Sequence, residues 1–286
     1  MADSGNPVGI EVAPLAAADL PAAAALSKAV QWPHRLEDWQ FALSLGQGLA
    51  AFSGRRLVGT AMAWEYDGAA TRVGMVLVDP NMQRSGIGAT LMNALLGPIR
   101  TSAILLNATE AGEPLYRRLG FEVTAAVVQH QGIAAPGPRL PLPAGARISA
   151  IDHNDISRLA ALDAAALGVR RPHVIAALVD HGDAVALDVT GEIVGFAVCR
   201  QFGRGHVIGP VIARDLQAAQ ALMAHWIDVH AGRFVRVDVP ADCGLSAWLD
   251  ARGLVHCGQV NTMCRGTSLA TSGHVRTFAL VNQALG

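Results

Sequence analysis

The 286 residues predict an α/β fold built twice in tandem, each copy a mixed, mostly antiparallel sheet flanked by helices. Three observations predict it. Short β-branched runs alternate with segments of helical apolar spacing along the whole chain. A proline- and glycine-rich stretch, Gly132-Ile133-Ala134-Ala135-Pro136-Gly137-Pro138-Arg139-Leu140-Pro141-Leu142-Pro143-Ala144-Gly145, interrupts that alternation near the middle. The order of elements before this stretch then recurs after it.

In chain order, residues 9–12 read as a strand and 15–30 as an alanine-rich helix. A second helix runs to about Leu45, with Asp38 in its first turn. Residues 49–52 and 57–66 read as strands joined by the hairpin signal Ser53-Gly54-Arg55-Arg56. Asp67-Gly68 turns the chain into the strand 73–78, which stops before Pro80 because proline cannot donate to a ladder. Ile87, Leu91, Met92, Leu95 and Leu96 then fall at helical spacing. A strand at 103–106, a helix holding Tyr116 and a β run at 122–130 complete the first copy. The connector favours extended, polyproline-like backbone. The second copy offers strands at 147–151, 185–189, 193–201, 206–213 and 234–239, helices at 155–167, 171–179, 216–229 and 245–251, and a closing β run at 254–264. The repeat is visible in residues too. Arg56-Leu57-Val58-Gly59 matches Glu192-Ile193-Val194-Gly195, and Arg118-Leu119-Gly120-Phe121 matches Ala251-Arg252-Gly253-Leu254. The expected division is a first domain at 1–131, a linker at 132–146 and a second domain at 147–286, with 273–286 forming at most a short strand or helix.

Composition bounds the function. Apolar residues make up 51% and charged ones 16%, which predicts ample core and a surface that buries more of itself in contacts between domains or between copies of a homo-oligomer. A net charge of −1 carries no electrostatic footprint for nucleic acid or an anionic membrane. No basic region precedes an apolar core at the start, and no charge-free run reaches membrane-spanning length, so the cytoplasm is the expected compartment. The 4 cysteines, Cys199, Cys243, Cys257 and Cys264, form no C-x-x-C pair and are expected as reduced thiols. No metal-binding pattern appears among the 10 histidines.

The chemistry concentrates between the strand Val73-Gly74-Met75-Val76-Leu77-Val78 and the helix that begins at Ile87. There lie Gln83, Arg84, Ser85 and two glycines, Gly86 and Gly88. A loop of this composition turns several backbone N–H groups toward one point at the positive end of a helix, which is a phosphate cradle. A dinucleotide fingerprint is disfavoured because Leu91 holds its third glycine position, and a Walker loop because this stretch holds no lysine. Gln83-x-x-Gly86-x-Gly88 instead resembles the pyrophosphate loop of the GNAT superfamily of N-acetyltransferases. Leu115-Tyr116-Arg117-Arg118-Leu119-Gly120-Phe121 resembles the ending of that family's later helix. The resemblance covers nearly the whole chain apart from the connector and the last twenty or so residues.

That resemblance implies acetyl-CoA as co-substrate and a primary amine, of a small molecule, as acceptor by direct attack. It places the backbone of Val76, Leu77 and Val78 beside the pantetheine arm and acetyl carbonyl. It places Arg84, Ser85, Gly86, Ile87, Gly88 and Ala89 around the pyrophosphate, Tyr116 as proton donor to the sulfur and Thr109 where the family often has a CoA-contacting asparagine. The family's strand glutamate is replaced by Ile104, so the base is open: Glu65 is the first choice, His34 with Glu37 and Asp38 the second, and a water chain or the free amine itself a third. The second half has a shorter loop without either glycine, Arg214-Asp215-Leu216-Gln217-Ala218-Ala219, and Leu249 opposite Tyr116. It is expected to bind no acetyl-CoA and to shape the acceptor pocket, and Gly209→Ala there is expected to leave binding nearly intact. The competing expectation is a module that senses acetyl-CoA or another ligand without turnover.

Overall fold

The structure, a computed structural model, describes residues 9–138, 141–142, 145–271 and 273–286. The first copy runs β1 (Ile10–Pro14), α1 (Leu20–Ala29), α2 (Leu36–Ser44), β2 (Gln47–Ser53), β3 (Arg56–Tyr66), β4 (Ala70–Val78), α3 (Ile87–Leu96), β5 (Ala103–Ala108), α4 (Glu113–Arg118) and β6 (Glu122–Ile133). The second runs β7 (Ala146–Ala150), α5 (Ile156–Leu167), α6 (Pro172–His181), β8 (Asp183–Val189), β9 (Glu192–Phe202), β10 (Gly205–Ala213), α7 (Leu216–Val229), β11 (Phe234–Pro240), α8 (Ser246–Asp250) and β12 (Val255–Gly266), with β13 (Arg276–Ala279) beyond it. β6 runs on to Ile133, into the expected linker, and Ala134 and Ala135 still donate to the Arg233 and Arg252 carbonyls. Arg139, Leu140, Pro143 and Ala144 of that linker lie outside the described residues.

The repeat holds in register. Gly59 faces Val78 across β3 and β4, and Gly195 faces Ala213 across β9 and β10. Each glycine lets backbone or a helix approach where a Cβ would collide, with Leu77 O and Leu91 in the first copy and Ile212 O in the second.

The two sheets are joined into one of 13 strands, ordered β1-β2-β3-β4-β5-β12-β6-β11-β10-β9-β8-β7, with β13 off this path beside β10. The order reads the same from either end once each strand is matched to its counterpart. The closing strands have changed places: β12 pairs with β5 of the first copy, β6 pairs with β11 of the second, and the two pair antiparallel with each other. Side-chain alternation along strands sends residues to two faces. Leu57, Met62, Trp64 and Tyr66 of β3 join Phe196 and Val198 of β9 in one core shared by both copies under α1, α2, α5 and α6. Val58 and Ala63 pack under α3, and Ala197 and Cys199 under α7.

Candidate active site

A bulge opens the first copy's sheet. β3 spends Ala61 where β4 spends Met75 and Val76, and Met75 takes φ 51°. Thr60 Oγ1 donates to the Met75 carbonyl at 2.8 Å and fixes the kink. β4 and β5 pair in parallel only from Ala70↔Ala103 to Val73↔Leu106, so the strands part beyond Val73. Val76, Leu77 and Val78 therefore line a groove of about 660 Å³.

The groove ends at the N-terminus of α3. Gly86 caps that helix at φ 90° with no side-chain hydrogen bond, and Arg84 before it sits at φ 64°. The first-turn N–H groups thus keep their donors for an anion, the arrangement a pyrophosphate needs. A Cβ on Gly88 would stand 3.4 Å from Leu115 Cδ2 and 3.7 Å from Val78 Cγ2, in the throat of the groove. Ile87 and Ala89 also line it. The residues present fit acetyl-CoA.

Opposite stands Tyr116 on α4, 7% exposed, its ring edge-on to Phe121 at 6.2 Å. Burial pushes its phenol up to about 12, so it keeps its proton. Thr109 starts the turn into α4, its hydroxyl accepting from Gly112 N at 3.3 Å. The exchanged strand holds this helix. Asn261 Nδ2 of β12 donates to Glu113 Oε2 at 2.7 Å, and Thr262 Oγ1 donates to Asn107 Oδ1 at 2.8 Å.

A second cavity, of about 170 Å³, lies between the copies and shares Trp32, Gly74, Met75, Asn107 and Thr109 with the groove. Its far walls come from Gln129 and Gln131 of β6, Phe202 and Arg204 of the β9–β10 hairpin, and Arg236 of β11. The C-terminal segment closes it: Asn107 Nδ2 donates to the Gln283 carbonyl at 2.7 Å, and Ala284 packs at Gly74.

Most of the residues singled out in the sequence gather here, but Ser85, Glu65, Glu37 and Asp38 line neither cavity. Ser85 turns its hydroxyl to the Met82 carbonyl and lines neither cavity. Glu65 is exposed and lines neither cavity, because its neighbours Trp64 and Tyr66 take the inward face of β3 and strand alternation sends Glu65 the other way. His34 does line the second cavity, with Nδ1 buried and unpartnered. Burial, with the Arg236 and Arg200 charges, pushes it down to about 4 against the pull of Asp38, so it stands as a neutral imidazole. Glu37 is exposed. Asp38 accepts from Arg35 N, Arg35 Nη2 and Gly203 N at 2.8, 2.9 and 2.9 Å. Burial works to raise its carboxyl, yet these bonds hold it below the ordinary range. It ties α2 to the β9–β10 hairpin. Sequence reasoning missed Asn107, Gln129, Gln131, Arg204 and Arg236. Gln129 and Gln131 carried a signal, being polar at alternate positions of an otherwise apolar β run.

The second copy has the same bulge, with Gly209 and Pro210 of β10 against Val198 of β9. Its cleft is occupied by the chain itself. β10 pairs with β11 only at His206↔Val235 and Val207↔Arg236, and β13 enters the gap to pair with Val211, Ile212 and Ala213. Leu280 N then donates to the Asp238 carbonyl at 2.8 Å. Asp215 caps α7, its Oδ1 accepting from Ala218 N at 2.8 Å, so a carboxylate already sits where a phosphate would. Leu249 is buried in the place of the phenol. No helix is long and apolar enough to cross a membrane, and no group of three or more metal-capable side chains occurs, both among the described residues.

Models of the acetyltransferase (GNAT) domain match the chain twice, over residues 28–136 and 159–279. An uncharacterized N-acetyltransferase of Bacillus subtilis (strain 168) is 27% identical over 178 residues, covering 61% of this chain and 62% of the relative. A crystal structure from Pyrococcus horikoshii superposes with a TM-score of 0.82 at 18% identity, over 100% of this chain and 99% of that one. A tandem GNAT protein from the clavulanic acid biosynthesis pathway does so with a TM-score of 0.61 at 16% identity, over 90% and 98%. Matched in both halves, with the repeat preserved strand by strand, the chain belongs to the GNAT acetyltransferase family as a tandem of two such domains.

Proposed function

We propose that the first copy transfers the acetyl group of acetyl-CoA to a primary amine of a small molecule by direct attack, and that the second copy walls the acceptor pocket. The observation that carries this is the contrast between two equivalent clefts. One is an open groove running from a splayed strand edge past a protonated phenol to an uncapped helix N-terminus. The other is filled by β13 and capped by Asp215.

Acetyl-CoA would supply an activated thioester. The chain's own part is positional and electrostatic. The α3 N–H groups and Arg84 would hold the pyrophosphate. The unpaired β4 edge at Val76, Leu77 and Val78 would hold the pantetheine amides and orient the carbonyl where the two cavities meet. Tyr116 Oη holds a proton for the departing sulfur. Among the described residues neither cavity is lined by an aspartate or glutamate, and His34 is too weakly basic to take a proton from an ammonium. Deprotonation is therefore assigned to the acceptor itself, which enters as free amine from a positively charged wall.

The test is thiol release from acetyl-CoA with a panel of primary amines, alongside calorimetric titration of acetyl-CoA. Release that depends on an amine supports the reading. Tight acetyl-CoA binding with no release by any amine would make the protein a ligand sensor.

A further inference from the structure

The cavity between the copies has an unusual charge content for a pocket meant to receive an amine. Its charged lining residues are Arg204 and Arg236, and no carboxylate joins them. Arg204 sits at the tip of the β9–β10 hairpin with its guanidinium over the Phe234 ring at 5.5 Å, and makes no ion pair among the described residues. Arg236 is 8% exposed and is held by Asp238, with Nη2 to Oδ2 at 2.9 Å. Asp238 also accepts from Gln283 Nε2 at 3.2 Å. Behind the Phe202 wall lies Arg200, 4% exposed, its guanidinium 5.0 Å from the Phe202 ring and its Nε and Nη2 buried without a partner.

Counting charge around this wall, Arg35 and Asp38 cancel as a pair. Three guanidiniums, Arg200, Arg204 and Arg236, then face one carboxylate, Asp238. Arg200 and Arg236 are buried with only that carboxylate between them, a positive surplus that is costly when nothing compensates it, and the exposed Arg204 adds to it. It also repels a second cationic group on an acceptor. Elsewhere the wall presents neutral amides, those of Asn107, Gln129, Gln131 and Gln283, which impose no charge of their own. The arginines lie on the second copy's side, and the thioester end is marked by the residues shared with the groove, Gly74, Met75 and Thr109.

We propose that the acceptor is a small amine that also carries an anionic group, a carboxylate or a phosphate, which Arg204 and Arg236 receive while the amine points to the groove. Guanidinium forks match both oxyanions in geometry. The proposal rests on the first copy being the acetyl-transferring one. It also gives the second copy a task, since both arginines belong to it. His34, in the same wall, is held neutral first by burial and then by the Arg236 charge.

The test compares matched pairs that differ only in the anion: β-alanine against β-alaninamide, and O-phosphoethanolamine against ethanolamine. The full-length protein is assayed for thiol release, and each compound is titrated calorimetrically into it. The anionic member of one pair should exceed its neutral partner by on the order of 10–100-fold in kcat/KM or in affinity, the size expected for a charge-assisted bond. Which pair responds separates carboxylate from phosphate. Arg204→Gln, at an exposed hairpin tip, should cut that preference several-fold with acetyl-CoA affinity unchanged, Arg236 keeping the remainder. Neutral members equal to or better than anionic ones in both pairs would overturn the proposal, and so would a preference left undiminished by Arg204→Gln. Tighter binding of an anion with no thiol release by any amine would sustain the anion site and overturn the transfer reading instead.

Discussion

At the scale of single residues, Tyr116 carries the sharpest expectation. Its phenol at about 12 stays protonated throughout the pH range in which an amine can attack. A thiol ionises near about 8.5, so such a phenol gives up its proton uphill. In the proposed reaction it would act by bonding to the sulfur as charge builds there. Tyr116→Phe keeps the ring against Phe121 and should lower kcat by about 10²-fold, the low end of acid catalysis. Acetyl-CoA affinity and melting temperature should stay near wild type, and pre-steady-state acetyl transfer compared with calorimetry checks both. Wild-type kcat in that variant would leave Tyr116 a packing residue. Gly86→Val should act on binding instead. Gly86 stands at φ 90°, where a β-branched side chain is strained, and its carbonyl begins the α3 ladder. Loss of measurable acetyl-CoA binding with a stability loss of about 1–3 kcal/mol is expected, read by titration and urea denaturation.

Elements decide how many acetyl-CoA molecules bind. The cradle of the first copy is a left-handed glycine before an uncapped helix, whereas α7 begins with Asp215 bonded to its own Ala218 N. Titration should give one site per chain. Asp215→Ala should cost about 1 kcal/mol as a lost cap and create no second site, because β13 still fills the cleft. Two equivalent sites would overturn the comparison of the clefts. Gly209 also belongs to this scale, and here the structure adds a stability cost to the retained binding expected from the sequence. A Cβ at Gly209 would run into the Leu280 carbonyl, just past β13. Gly209→Ala is therefore not a silent control. It should destabilise the fold by about 1–3 kcal/mol by overpacking, measured by denaturation, with the single acetyl-CoA site retained.

Across the whole molecule, the two copies are interlocked rather than docked. β6 and β12 each complete the other copy's sheet, and the C-terminal segment returns from the second copy to the first. Tyr66 Oη donates to the Leu285 carbonyl at 3.0 Å, and Arg171 Nη1 donates to the same carbonyl at 2.7 Å. Arg171 and Asp163 form a buried ion pair, Nε to Oδ2 at 2.8 Å with side chains 1% and 0% exposed. Arg171→Leu leaves Asp163 buried without its partner and should cost about 3–5 kcal/mol. Because the segment it releases walls the proposed acceptor cavity, the loss should appear in acceptor KM before acetyl-CoA affinity. Denaturation and steady-state kinetics check the two halves of that statement.

What the sequence by itself determined is local. Periodicities of two and of about 3.6, the glycines at 86 and 88, and Tyr116 followed by Gly120-Phe121 marked the strands, the cradle and the phenol, because each is a short-range requirement of backbone or helix geometry. Tertiary structure alone decided that β12 rather than β6 stands beside β5, since an apolar alternating strand satisfies either neighbour equally well. It decided that the tail fills the second cleft, since four residues of strand carry no mark of the partner they pair with. It also decided the wall of the cavity between the copies. Arg204, Arg236, Gln129 and Asn107 come from distant points of the chain, and nothing in the spacing of such polar residues tells which will meet. Glu65 looked equivalent to a site residue in one dimension. The pleat of β3, set by Trp64 and Tyr66 burying on either side of it, turned it to solvent.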